Sequence, residues 1–346
     1  MAVQIGIGLF TAQVPPDSDR TFTQEYREIL DMVRLAETLG FDSAWVSEHH
    51  GSGDGYMPSL LPTLAGLAAA TGRIKLGTGV LLTPFHHPLR LAEDAATVDL
   101  ISGGRLILGL GLGWRQEEFR MFGVPLKERV RRTVETIDVL RLAWTGDRFS
   151  YQGKAFSYDQ VKVTPAPERK AGTVPIWLGG SVEAAMRRAG RVADGYIRTR
   201  GGGLDKMKQA FQIVEAGARE AGKDPSSMPM AQLQNIFVWE DGDAWEIARR
   251  YVPNQLGIYS GWDAGGDTPE KGFVLAPPDE ETMRRVTPTG NAHEVIHALR
   301  PMIEAFAGRK EFHLIVRLHY PGMDFDTASR AIELFGERVL PALKGA

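Results

Sequence analysis

Eight short apolar, β-rich runs, each followed by a stretch of helical periodicity, most limit what this chain can fold into. The runs are residues 3–10, 43–47, 74–82, 106–110, 174–178, 195–199, 233–239 and 312–318. Between them, apolar residues recur at helical spacing, as in Ile29, Leu30, Val33, Ala36 and Leu39, with Gly40 where a C-terminal cap is wanted. The other helical stretches are 59–70, 88–101, 127–144, 182–193, 204–221, 292–306 and 326–343. Strict alternation of strand and helix requires a parallel sheet, and eight strands is the number that closes a (β/α)8 TIM barrel. An open, doubly wound sheet is the second solution. Neither a linker nor a second domain shows itself, so one barrel domain over 1–346 is expected.

Two segments break the alternation. Residues 148–167 alternate polar and apolar about Gly153, which predicts a hairpin before the fifth strand. Residues 257–286 carry Gly265-Gly266, Pro269 and Pro277-Pro278, and predict a long irregular insertion after the seventh strand. Such loops serve as lids over active sites or are inert and solvated.

The composition narrows the function classes. With 40 Lys+Arg against 43 Asp+Glu, the net charge is −3, which gives no basic excess for nucleic acid or anionic membrane. No apolar stretch approaches the roughly 18 residues of a membrane span. Met1–Ile5 lack a basic flank followed by an apolar segment, so a secretory signal is not expected and a cytoplasmic small-molecule protein is. The absence of Cys excludes disulfides, thiolate nucleophiles and Cys-ligated metals.

Chemistry-bearing residues gather where strands end, which in a barrel is the catalytic face. The second run ends in Glu48-His49-His50, a proton-exchanging pair of residue types. Neighbours on a strand point to opposite faces, so His49 and His50 do not readily share a metal, and His86 and His87 are better read as capping or packing. No metal is expected. Thr78-Gly79-Val80 in the third run admits a planar ligand or a bend. Gly109, Gly111 and Gly113 with Trp114 lack the dinucleotide fingerprint; these glycines let the strand end lie against a ring, or serve packing. Gly179-Gly180-Ser181 before a helix reads as a phosphate site, or Ser181 as an N-cap. Arg198, Thr199 and Arg200 end the sixth run as a second anion site or a solvated loop.

Taken together, these residues resemble the bacterial luciferase-like flavin-dependent oxidoreductases over nearly the whole length. The likeness rests on Pro88–Asp94, Asp99–Arg105, Glu117-Glu118-Phe119-Arg120-Met121-Phe122-Gly123, Glu48-His49-His50, Gly179-Gly180-Ser181, Arg188-Ala189-Gly190 and Ala193-Asp194-Gly195. The resemblance implies a (β/α)8 barrel holding reduced FMN or the deazaflavin F-420 at its mouth. It puts His49 near the reactive ring face with Glu48 beside it, and the phosphate end at Gly179–Ser181. It also implies a cis Gly79–Val80 peptide behind the ring. Gly111 and Leu112 stand where true luciferase subunits carry Cys and Arg, so light emission is not implied.

The expected activity is that of a monooxygenase on an apolar small molecule, with reduced FMN from a separate flavin reductase. Hydride transfer with F-420 and non-catalytic flavin binding are the alternatives, and a homodimer is compatible. Trp114 and Phe10 are candidates for the apolar pocket wall, with ordinary core packing the other reading of Phe10. No G-x-S-x-G elbow or H-x-H metal pattern supports a hydrolase.

Overall fold

Strand β1 (Ala2–Phe10) pairs in parallel with β2 (Ser43–Val46) on one side and β8 (Glu311–Arg317) on the other. The ring continues through β3 (Lys75–Thr78), β4 (Leu106–Gly111), β5 (Ile176–Gly179), β6 (Gly195–Arg198) and β7 (Met230–Asn235), which returns to β8. Pairing of Leu76 with Leu106 and Gly77 with Ile107 links β3 to β4 and closes the circle. The computed structural model describes residues 2–169, 172–199, 203–263, 273–306 and 308–345. The fold is therefore the closed (β/α)8 barrel and not the open sheet.

The lumen is filled rather than hollow. Trp45 from β2 and Trp177 from β5 lie with ring centroids 5.4 Å apart, packed with Leu9, Ile107, Ile197 and Ile315. A Cβ on Gly77 would run into the Trp45 ring, and one on Gly195 would lie 2.5 Å from Trp177, so these strands carry glycine to make room for indoles. The larger core lies between strands and helices. Helix α1 (Phe22–Thr38) buries Ile29, Met32, Val33 and Ala36 on one face, each large side chain worth about 1.5–3 kcal/mol of burial. Thr21 and Gln24 form a reciprocal capping box at its start. A charge at Val33 would face the strands without a partner and would unseat this helix.

The expected hairpin is present as Phe149–Gln152 against antiparallel Ser157–Val161. Its turn is fixed by Glu135, whose carboxylate accepts from the N–H groups of Lys154, Ala155 and Phe156 at 2.9, 2.9 and 3.0 Å. The insertion differs from expectation. Residues 257–286 are not irregular throughout: a helix spans Val252–Asp263 and another Glu280–Val286, while 264–272 lie outside the described residues. Gly257 and Gly261 lie inside the first helix and lack side chains where the returning chain crosses them closely. A Cβ on Gly261 would collide with the Val274 carbonyl, and Ala276 N–H donates to Gly257 O at 3.0 Å. The seventh strand also starts earlier than expected, and Phe237–Val238 leaves it to pair with Thr289–Gly290. No helix among the described residues is long and apolar enough to cross a membrane.

Candidate active site

The C-terminal ends of the strands bring His49, Glu48, Val80, Trp114 and the Val252–Asp263 helix to one mouth. After β2 ends at Val46, successive side chains diverge, and the two histidines meet different carboxylates. His49 Nδ1 lies 2.8 Å from Glu118 Oε1, and the same oxygen accepts from the His50 N–H at 3.0 Å. Glu118 comes from the short helix Gln116–Met121 after β4 and is buried. A carboxylate only accepts, so this contact assigns the proton to Nδ1 and leaves Nε2 of His49 as its exchanging position.

Glu48 serves elsewhere. Its Oε1 pairs with His50 Nε2 at 2.6 Å and His86 Nε2 at 3.1 Å, and its Oε2 accepts from the Leu82 N–H at 2.8 Å. The expectation that Glu48 acts with His49 is thus corrected: it ties the β2 end to the β3 loop. His86 does more than pack or cap. Burial opposes ionisation of Glu48, but the hydrogen bonds from His50 and His86 and their charge outweigh it, holding the carboxyl at about 2. Relative to an unfolded value of 4.5, the pKa is depressed. Its contribution, about 3 kcal/mol, is complete above pH 4.5 and is lost as pH falls towards 2. Urea midpoints of wild type and Glu48→Gln should therefore converge on acidification through that window. A gap that stays constant with pH would refute the linkage.

Aromatic rings cover His49. Tyr56, Tyr259 and Trp262 have centroids 4.8, 5.6 and 4.6 Å from its ring, and Trp114 is at 6.4 Å. Tyr56 Oη lies 2.8 Å from Tyr259 Oη and donates to Ser47 Oγ at 3.1 Å. Burial raises both phenols above their ordinary range, so these hydroxyls stay protonated. Arg115 braces the cover, donating to His50 O at 2.7 Å with its guanidinium 4.6 Å from the Trp262 ring centre.

On the opposite side, the Gly79–Val80 peptide is cis, as the resemblance implies. A Cβ on Gly111 would strike Val80, and one on Gly179 would come within 2.9 Å of it. The ends of β4 and β5 thus carry glycine to seat this half-buried valine, and Gly109 does so to clear the Thr78 carbonyl. Packing, rather than a strand end lying against a ring, accounts for Gly109. Thr78 is corrected as well: it is fully buried and its hydroxyl donates to Gly109 O at 2.6 Å. Gly113 adopts a left-handed φ of 68°, turning the chain into Trp114.

At β5, Tyr196 Oη donates to Gly180 O at 2.6 Å, and the following helix, Glu183–Val192, has Val182 as its uncapped N-cap. Ser181 is exposed and does not act as the cap. An apolar platform at Val80 with an uncapped helix start one strand along suits a planar ring bearing an anionic tail. Arg198 is buried and donates to Gln232 Oε1 at 2.9 Å, so the solvated-loop reading fails for it. Thr199 is half-buried and Arg200 lies outside the described residues. Phe10 is buried in the core, 6.2 Å from His319. Among the described residues, no group of three or more His, Asp or Glu is arranged to hold a metal ion.

Sequence reasoning did not single out Glu118, Tyr56, Tyr259 or Trp262 as site residues. Glu118 was within reach, since it follows β4, where catalytic groups are expected.

A closed parallel barrel with a buried His–carboxylate pair at the strand C-termini is the build of a barrel enzyme. The chain belongs to the luciferase-like monooxygenase family, whose sequence pattern matches residues 4–336. It is 30% identical over 328 residues to the F420-dependent glucose-6-phosphate dehydrogenase of Microbacterium testaceum, covering 92% of this chain and 93% of the relative. The monooxygenase RslO1 from Streptomyces bottropensis has a similar structure, with a TM-score of 0.78 at 24% identity over 98% of this chain and 99% of that one. The oxygenating constituent of 3,6-diketocamphane monooxygenase from Pseudomonas putida, solved with FMN, gives a TM-score of 0.77 at 21% identity over 99% of each chain. The protein is a luciferase-like oxidoreductase; a relative at 30% identity is F420-dependent, and a protein of the same fold was solved in complex with FMN.

Proposed function

We propose that this chain, acting as one domain, binds reduced FMN from a separate flavin reductase and oxygenates an apolar small molecule. The observation that carries the reading is His49, anchored by Glu118 beneath an aromatic cover and sharing the barrel mouth with the Val80 platform. Val80, Gly111 and Gly179 would receive the ring, and the backbone at Gly180–Ser181 its phosphate. When bound, the reduced ring supplies the two electrons of the reaction. His49 holds or releases a proton at Nε2, with Glu118 keeping Nδ1 protonated and the ring oriented. Tyr56, Trp114, Tyr259 and Trp262 exclude water, which strengthens each electrostatic contact inside.

A second reading, hydride transfer with F-420, is favoured by the 30% identity to a dehydrogenase. Titration of the protein with FMN and with F-420, followed by oxygen uptake during turnover, separates the two. Stoichiometric uptake with reduced FMN supports the first. F-420 binding without uptake supports the second, and binding of neither overturns both.

The phosphate placement has its own test. A side chain at Gly180 would bring its Cβ to 2.6 Å from that of Ala185, so a variant there mixes packing with charge. Ser181→Asp is cleaner, because the position is exposed. The added charge should raise the cofactor Kd about tenfold, while the helix dipole leaves stability unchanged or improves it by about 0.3–1 kcal/mol. An unchanged Kd would remove Gly180–Ser181 from the phosphate site.

A further inference from the structure

Arg317, the last residue of β8, is a buried cation that nothing described so far uses. Arg309, itself buried, bonds Glu215, and the half-buried Arg20 and Arg169 bond Glu25 at 3.0 Å and Asp99. Arg317 has no such carboxylate among the described residues. It is 2% exposed, and among the described residues its side chain has one hydrogen bond, from Nη1 to the neutral Gln255 Oε1 at 2.8 Å. Its Nε is buried with no partner. A guanidinium keeps its charge at any ordinary pH, so it cannot escape the cost of burial by neutralising.

Its neighbours show where it points. Gln255, Tyr259 and Trp262 are spaced i, i+4 and i+7 on the Val252–Asp263 helix and so share one face. Gln255 meets Arg317, while Tyr259 and Trp262 meet His49. The positive charge of Arg317 also works against the burial that raises the Tyr56 and Tyr259 phenols, which sets it near both hydroxyls. One wall therefore runs from His49, across aromatic rings, to an unpaired cation.

We propose that Arg317 receives a carboxylate of the substrate, with Gln255 holding its Nη1 and the rings of Tyr56, Tyr259 and Trp262 flanking the apolar body. The inference rests on the reading of this mouth as the substrate site and names the class: a small organic acid with an apolar skeleton. With Nη1 taken by Gln255, the Nε/Nη2 edge remains, and that planar fork matches a carboxylate bidentately. A single cation among aromatic rings suits a monoanion better than a phosphate dianion.

The test uses the full chain without flavin and reads tryptophan fluorescence while benzoate, benzamide or inorganic phosphate is added, with an FMN titration in parallel. Benzoate should bind at least about tenfold more tightly than either benzamide or phosphate. Arg317→Gln should abolish that preference. Gln255→Glu guards against a variant that fails to fold. It supplies an internal counter-ion, so it should raise Tm by about 2–4 °C and weaken benzoate binding at least about tenfold. Equal affinity for benzoate and benzamide, tighter phosphate binding, or unchanged benzoate affinity in Gln255→Glu would overturn the proposal. FMN binding with no benzoate binding defeats this inference alone; benzoate binding with no FMN binding defeats only the cofactor reading.

Discussion

His49→Ala is expected to lower turnover by about 10²–10⁴, the range for a positioned proton donor or acceptor. The fold should survive, because the ring lies in the mouth and not in the core between strands and helices. Glu118 Oε1 keeps the His50 N–H at 3.0 Å, so the carboxylate retains a partner in the variant. The lost contact with Nδ1 and the space left among Tyr56, Tyr259 and Trp262 should cost about 1–3 kcal/mol, or a few degrees of Tm. The contrast between a small stability loss and a large rate loss is the diagnostic. Far-UV circular dichroism and melting establish the first; initial rates at saturating cofactor establish the second. Turnover within about threefold of wild type on a verified substrate would take His49 out of the mechanism.

The barrel was legible because its determinant is periodic. Alternation of short β-rich runs with 3.6-residue patterns survives local irregularity, and eight repeats leave few closures. The hairpin was legible for the same reason, since a turn residue divides two alternating stretches. The insertion was misread because glycine carries two meanings. Gly257 and Gly261 look like loop punctuation in one dimension, yet in space they are helix positions where another chain segment passes close by. Gly109 was open between a ring and packing, and its missing side chain clears the Thr78 carbonyl, which is packing.

The site was half legible. His49 follows from its place at a strand end. Its partner was assigned to Glu48 because adjacency in sequence was taken for adjacency in space. Glu118 is 69 positions away, and no local pattern announces that pairing. The aromatic cover comes partly from an insertion with no barrel periodicity, so Tyr259 and Trp262 carried no positional signal. Arg317 ends a strand, but the lack of a carboxylate beside it among the described residues arises only on folding and leaves no local sequence pattern.

Glu118 should show its role through two graded variants. In Glu118→Gln, the amide oxygen can occupy the Oε1 position and still accept from both the His50 N–H and His49 Nδ1, so geometry and tautomer are preserved. What disappears is the negative charge, and with it the stabilisation of a protonated His49 ring. Hydrogen bonds to charged groups are worth about 1.5–3 kcal/mol, so kcat should fall about 10–100-fold. Glu118→Ala removes the anchor as well and should lower kcat about 10²–10³-fold, because the ring is then free to leave its productive orientation. Cofactor Kd should move by less than about threefold in either variant, since the hydrogen bonds of Glu118 go to His49 and His50. A purely structural role makes the opposite forecast: Glu118→Gln, which preserves the hydrogen bonds, would match wild type. The decisive measurement is the double variant. If Glu118 acts through His49, adding Glu118→Ala to His49→Ala should cost almost nothing further, because two residues acting as one unit are not additive. Full additivity of the two rate losses would separate Glu118 from His49, and the pairing at 2.8 Å would be packing alone.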